Sequence, residues 1–365
     1  MSPGPNRLLH GPWLSALPVV FVVASVLLLG PSAEADRLVS PSEPMPLVAV
    51  ATPRALRAAV LLGRAGRGPN SVATLEPGAT ILTPQRAKLD AYSSLALSPD
   101  GRLLAGLRGN RVVVRDLDAR RDTFVTRRAG RWERLDIRGF RPDGGALLYT
   151  RGPQDGMDGP PPGREVPDAA YLYDLTTATE TRMAFGSAFA EFADASAAFV
   201  IEEREGAGRT LVRRPLEGGE PVAVATSPNF TDFGQLVVHG REMAYLIGTH
   251  IARATLDGRA LPDVTPTGTW AEFQWPRYSP SGRAVLYQHR GPGPQVACDL
   301  EVFTLATGER RKVAACPSGC LSDWLAEDRL IVLRDDVLSI VPLSGDEIEV
   351  ARGVRTFVVA GSSYR

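Results

Sequence analysis

Arg102-Leu-Leu-Ala-Gly-Leu-Arg108 is the stretch that decides the fold, because a strand of this kind returns seven times along the chain. It begins at Arg57 (RAAVLLG), Arg102 (RLLAGLR), Gly145 (GALLYTR), Ala197 (AAFVIEE), Glu242 (EMAYLIG), Arg283 (RAVLYQH) and Arg329 (RLIVLRD). Successive starts lie 45, 43, 52, 45, 41 and 46 residues apart. A fixed period of this size marks an architecture built by repetition of one supersecondary unit.

Working outward, each strand is followed by another that closes on a leucine: Leu75, Leu117, Leu175, Leu216, Leu256, Leu305 and Leu343. The turns behind these leucines read LEPG, LDAR, LTTAT, LEGG, LDG, LATG and LSGD. Such residues supply the positive φ or the local side-chain hydrogen bonds that a hairpin reversal needs. Further strands are expected after the turns, as at 122–127, 220–225 and 347–352, and before each unit, as at 92–98 and 133–140. Four short antiparallel strands per period are the unit of a β-propeller blade. The composition agrees: 44% hydrophobic residues with 36 Gly and 30 Pro suits many strands broken by turns.

The first unit, residues 55–84, has three strands, whereas the chain closes on an unaccompanied apolar strand at 354–360. Placing that last strand innermost in the first blade completes four strands and joins the termini, which removes two open sheet edges. The expected fold is therefore all-β, a seven-bladed propeller closed by its C-terminal strand. Six blades are the fallback if the first unit stands apart.

Leu97-Ser98-Pro99-Asp100-Gly101, Phe140-Arg141-Pro142-Asp143-Gly144 and Tyr278-Ser279-Pro280-Ser281-Gly282 resemble the Ser-Pro-Asp-Gly signature of TolB-like, WD-repeat-like propellers. Physically the motif is a turn: Pro presets φ, Asp bonds the neighbouring backbone, and Gly takes the left-handed position. The resemblance covers about residues 48–365. The other four units carry Thr-Pro-Arg-Ala, Ala-Asp-Ala-Ser, Val-His-Gly-Arg or Ala-Glu-Asp-Arg at the equivalent place. Members such as TolB also have an N-terminal α/β domain; residues 36–47 alone are expected between the leader and the first strand, so TolB's own role is not expected to transfer.

Residues 1–35 read as a secretory signal: Arg7 and the free amine, an apolar run over 14–29, and Ala33-Glu34-Ala35 as a small-x-small cleavage site. The alternative is an uncleaved membrane anchor, which would be the chain's sole contact with a membrane. Residues 36–47 form a linker and 48–365 the propeller. Either leader exports the propeller, so a periplasmic, secreted or cell-surface location is expected. Cys298, Cys316 and Cys320 all fall in one blade, and reflection about the 305–308 turn sets Cys298 opposite Cys316 as a disulfide pair. Cys316 with Cys320 and Cys298 with Cys320 are the competing pairings. A zinc site would need a fourth ligand, with His289 the nearest histidine in sequence.

Forty-one basic and 41 acidic residues leave the chain neutral, without the basic excess of a nucleic-acid binder. Arg120-Arg121, Arg127-Arg128, Arg213-Arg214 and Arg310-Arg311 read as solvated strand edges. No nucleophile elbow, His-Glu-x-x-His, Walker A loop or dinucleotide fingerprint is present. A hydrolase domain of the prolyl-oligopeptidase kind would need far more chain than the repeats leave. His239 and His250 read as structural or surface residues.

Connections between second and third strands share a face with those between blades. That face collects the insertions 152–168, 63–70 and 290–297, and loops on a rigid scaffold are where recognition resides. The candidate partner-binding residues are Trp132, Trp270, Asp155, Asp158 and Arg164; Trp275 and Trp324 read as packing. Asp155 and Asp158 lie at a spacing that calcium can use, although a solvated insertion needs no metal, and no other cofactor is implied. The expected function is a monomeric, non-catalytic scaffold for a protein, peptide or envelope polymer. The alternative is a lactonase-, lyase- or glycosidase-type enzyme with three or more converging carboxylates or histidines in the central channel.

Overall fold

A computed structural model describes residues 56–62, 70–89, 94–153, 169–183, 190–204, 208–227, 235–267, 271–291, 298–317, 319–361 and 363–364. The leader and linker lie outside these residues, and 51–365 form one compact unit. Every regular element among the described residues is a strand, and the strands form seven antiparallel sheets.

The sheets follow the repeat. Blade 2 runs Leu95–Leu97, Leu103–Leu107, Val112–Asp116 and Arg121–Phe124; blade 3 runs Glu133–Phe140, Ala146–Pro153, Ala169–Asp174 and Thr179–Arg182. Blades 4 to 7 begin at Ala190, Leu236, Glu272 and Leu321 in the same order. Blade 1 combines Ala58–Leu62, Asn70–Leu75 and Thr83–Leu89 with the C-terminal strand Val354–Val359. The closing register is antiparallel, with Ala58 opposite Val359 and Val60 opposite Phe357. Seven blades and this closure are what the sequence pattern requires.

The recurrent leucines have a structural cause. Just past the third strand, the amide of Leu117 donates to Arg102 O at 2.9 Å, Leu175 to Gly145 O at 3.0 Å, Leu216 to Ser196 O at 2.8 Å, and Leu305 to Arg283 O at 2.9 Å. Leu256 and Leu343 repeat the bond to Arg241 O and Asp328 O. Each of these six leucines ties the end of the third strand to the residue just ahead of the second, so backbone pairing outlasts the strand, while Leu75 lies within its strand opposite Ala58.

Stability comes from the seams between blades. Tyr149, Ile137 and Leu147 of blade 3 pack on Val112 and Val114 of blade 2, while Phe199 and Leu211 of blade 4 meet Met243 and Tyr245 of blade 5. A larger cluster joins blades 7, 1 and 2 through Ile331, Phe357, Val358, Leu95 and Leu104. Burying one such side chain contributes roughly 1.5–3 kcal/mol, and the seam of blade 1 depends on the closing strand.

One element escapes the repeat. After Val359 the chain turns at Gly361, whose amide donates to Leu97 O at 3.0 Å. Ser363–Tyr364 then pairs antiparallel with Leu95–Leu97, making blade 2 five-stranded on its inner edge.

Candidate functional site

Because strands alternate in direction, first-to-second and third-to-fourth connections emerge on one face of the ring, here the turn face. Second-to-third and blade-to-blade connections emerge on the other, the loop face. On the turn face, Ser98 Oγ donates to Asp100 Oδ1 at 2.5 Å, Asp100 accepts the Arg102 amide at 3.0 Å, and Gly101 has φ 72°. Burial opposes ionisation of Asp100, but the Ser98 hydroxyl, the Arg102 amide and the Arg102 charge outweigh it and hold the carboxyl below its ordinary range. In blade 6 Ser281 stands where Asp100 stands, and the carboxylate comes from blade 7. Glu327 accepts from Ser279 Oγ at 2.9 Å, Ser281 N at 3.0 Å and Ser281 Oγ at 2.5 Å. Arg57 staples blades 1 and 2 through Glu76 at 2.9 Å, Gly101 O at 3.1 Å and Asp118 at 3.0 Å.

The loop face is organised by a clasp that the repeat pattern did not reveal. Past the fourth strand of blade 2, Val125 N donates to Val112 O at 2.9 Å and Val112 N donates to Thr126 Oγ1 at 3.0 Å. Blade 5 repeats it: Val264 N to Ile251 O at 3.0 Å and Ile251 N to Thr265 Oγ1 at 2.7 Å. The signal was there as a Val-Thr pair after the fourth strand, at 125–126 and 264–265. Both threonines are buried, so the clasp fixes the start of the connection to the next blade.

The two clasped connections carry different residues. After Thr126 come Arg127, Arg128 and Arg131; Arg131 stacks its guanidinium on Trp132, 4.8 Å from the ring centre. After Thr265 comes Pro266, which with Phe273, His289, Glu301, Arg310 and Lys312 lines a cleft of about 250 Å³ between blades 5 and 6. In it Glu301 accepts from Tyr287 OH at 2.7 Å and pairs with His289 Nδ1 at 2.7 Å, and His289 stacks on Phe273 at 4.8 Å. Burial and the Glu301 carboxylate push the Tyr287 hydroxyl far up, so it stays a neutral donor. Lys312 pairs with Asp299 at 2.8 Å and Arg310 donates to Val264 O at 3.1 Å. Blade 3 holds a related Tyr149–Glu180 hydrogen bond, so tyrosine-to-glutamate bonding is part of the scaffold as well as of this cleft.

On the inner strands, Asp323 of blade 7 lies 3.8 Å from Arg277 of blade 6, and Asp136 of blade 3 pairs with Arg134 at 2.7 Å and lies 3.9 Å from Arg138. These carboxylates are held by arginines. Trp324 is buried and donates from Nε1 to Arg277 O at 3.1 Å. Trp275 sits in a bulge at φ 55°, with its amide donated to Gln235 Oε1. Among the described residues no three His, Cys, Asp or Glu side chains come together as a metal-holding group.

Cys298 does stand opposite Cys316, as the hairpin reflection implies, but the Cys298–Cys316 bridge drawn from the sequence is corrected. The disulfide joins Cys316 to Cys320, with Cα atoms 5.6 Å apart. The turn at Gly319 brings Cys320 back onto Cys316: Gly319 N donates to Cys316 O at 2.9 Å and Gly319 has φ 82°. The Cys298 thiol is free and buried, with Gln288 Oε1 at 3.5 Å. Burial raises its pKa.

Of the expected partner-binding residues, Trp132 lies half-buried beneath Arg131 on the loop face. Trp270, Asp155, Asp158 and Arg164 lie outside the described residues, as do most of the insertions 63–70, 152–168 and 290–297.

No family model and no curated protein matches the chain. Solved structures do. Dipeptidyl peptidase 4 of Porphyromonas gingivalis is similar at 13% identity and TM-score 0.53, over 81% of this chain and 50% of that one. An oligogalacturonate lyase in complex with manganese is similar at 14% identity and TM-score 0.52, over 80% and 84%. TolB from Acinetobacter baumannii is similar at 17% identity and TM-score 0.49, over 86% and 69%. The chain spans about half the length of the peptidase. At these identities the likeness to the peptidase and the lyase shows a shared fold, and the seven antiparallel sheets set the class, a seven-bladed β-propeller.

Proposed function

We propose that this is an exported, monomeric, non-catalytic propeller scaffold that recognises a protein, a peptide or an envelope polymer through its loop face. The observation that carries the proposal is the contrast between the faces. Turn-face side chains are spent on one another, across blades in Glu327 with Ser279 and Ser281 and Arg57 with Asp118, and within a blade in Arg213 with Asp194 and Arg141 with Asp143. On the loop face the Val-Thr clasps present exposed arginines and an open cleft on a fixed base. Rigid support under variable connections is how binding surfaces are built. The Cys316–Cys320 disulfide, on the blade 6 to blade 7 connection, supports an oxidising compartment, in keeping with the apolar leader.

Affinity capture from the native envelope fraction tests the reading, with wild type compared against loop-face and turn-face surface variants. The expected result is a stable partner lost only from loop-face variants. Turnover of a small molecule by the purified protein, abolished by His289→Ala or Glu301→Gln, would replace the scaffold reading with a catalytic one.

A further inference from the structure

We infer that the blade 2 platform on the loop face is a docking site for an acidic peptide segment of a partner protein. The inference rests on the scaffold reading and supplies the partner's chemistry.

The chain as a whole is neutral, but this patch is not. The second-to-third turn of blade 2 brings Arg108 and Arg111, the third strand brings Arg115, and the clasp segment brings Arg127, Arg128 and Arg131. Against these six arginines stand two described carboxylates, Asp122 and Glu133. Asp122 pairs with Arg108 at 2.6 Å and with the buried Arg115 at 2.7 Å, and Glu133 with Arg127 at 3.1 Å. Among the described residues, six less two leaves a local excess of four positive charges.

The platform is also preorganised. Ala129 N donates to Asn110 O at 2.7 Å, Arg111 Nε to Thr126 O at 2.9 Å, and Gly130 N to Glu133 Oε2 at 2.8 Å. Arg111 and Arg108 lie 4.0 and 4.8 Å from the ring centre of Phe124, and Arg131 covers Trp132. Arg108 is already engaged by Asp122, whereas a guanidinium held against an aromatic ring, as at Arg131, loses little rotamer freedom when it binds a carboxylate. Phe124 remains 39% exposed, an apolar neighbour for the aliphatic part of the same ligand. Arginine beside tryptophan and phenylalanine, with carboxylates in the minority, is the composition of a protein–protein hot spot rather than of a solvated edge.

The test uses the full chain and a fluorescein-labelled hexaglutamate peptide, with hexaglutamine and polygalacturonate as comparison probes. Wild type is expected to bind hexaglutamate, not hexaglutamine, with affinity falling as salt rises. The double variant Arg128→Glu with Arg131→Glu is expected to weaken binding by about tenfold or more, while Arg311→Glu, an exposed charge reversal on blade 6, leaves it unchanged. Thermal melts at the wild-type temperature show that the variants remain folded. Equal loss in the Arg311→Glu variant, no loss in the double variant, or a preference for polygalacturonate overturns the acidic-peptide site. The scaffold reading would survive those results, because it falls only on turnover or on a partner held by the turn face.

Discussion

The two faces of the ring use the same residue types to opposite ends. On the turn face Arg57 is 15% exposed and shared among Glu76, Gly101 and Asp118, so its charge is consumed in joining two blades. On the loop face Arg127 is 69% exposed and pairs with Glu133 alone among the described carboxylates, while Arg131 rests on a tryptophan. Under the scaffold reading, the first arrangement joins blades and the second leaves charge exposed for a ligand. Arg57 lies where two tight turns bring Glu76 and Asp118 within its reach, whereas Arg127 and Arg128, past the blade 2 clasp, are exposed.

Substitutions can break that contrast, and they rank by how deeply each side chain is committed. Trp324→Ala, at the seam of blades 6 and 7, should cost about 3–5 kcal/mol, read from urea unfolding. Glu327→Ala removes the carboxylate that holds the blade 6 turn and should cost about 1.5–3 kcal/mol; an unchanged midpoint would show that the staple carries no energy. Cys320→Ser opens a short loop on the loop face and should cost about 2 kcal/mol, read from urea unfolding. Arg128→Ala should change stability by less than about 0.5 kcal/mol while weakening peptide binding.

Acid sharpens the same comparison. Asp143 is held below its ordinary pKa, first by Arg141 and then by the Gly145 amide, against a burial effect that raises it, and Asp194 is lowered by Arg213 and Ser196 despite burial. A carboxyl whose folded pKa is depressed contributes stability above its unfolded pKa, about 3.9 for Asp. That contribution disappears as pH falls through the lower folded value. Thermal melts should therefore drop below about pH 4, and Asp143→Asn should lose part of that acid dependence; an unaltered pH profile in the variant would contradict the assignment.

The sequence made the ring legible because its causes are local and periodic. Gly101, Gly144 and Gly282 need positive φ, and the leucines that close each third strand keep their spacing from the second. The closing strand was readable because an unpaired apolar run needs an edge to cover. The Ser363–Tyr364 strand was not, since two residues carry no period. Glu327 was hidden because its partners lie some 46 to 48 residues away on another blade. His289, Glu301 and Tyr287 were hidden for a similar reason: strands of ordinary composition bring them together only after pairing. The cysteine register was correct and the bond was not, because strand pairing sets Cys298 opposite Cys316 while the turn at Gly319 brings Cys320 onto it.

Arginine labelling with phenylglyoxal, read by peptide mass spectrometry with and without the captured partner, tests the division of labour between the faces most directly. The partner is expected to protect Arg127, Arg128 and Arg131 and to leave Arg141 and Arg329 of the turn face unchanged. Protection of the turn-face arginines, with the blade 2 platform still labelled, would contradict that division.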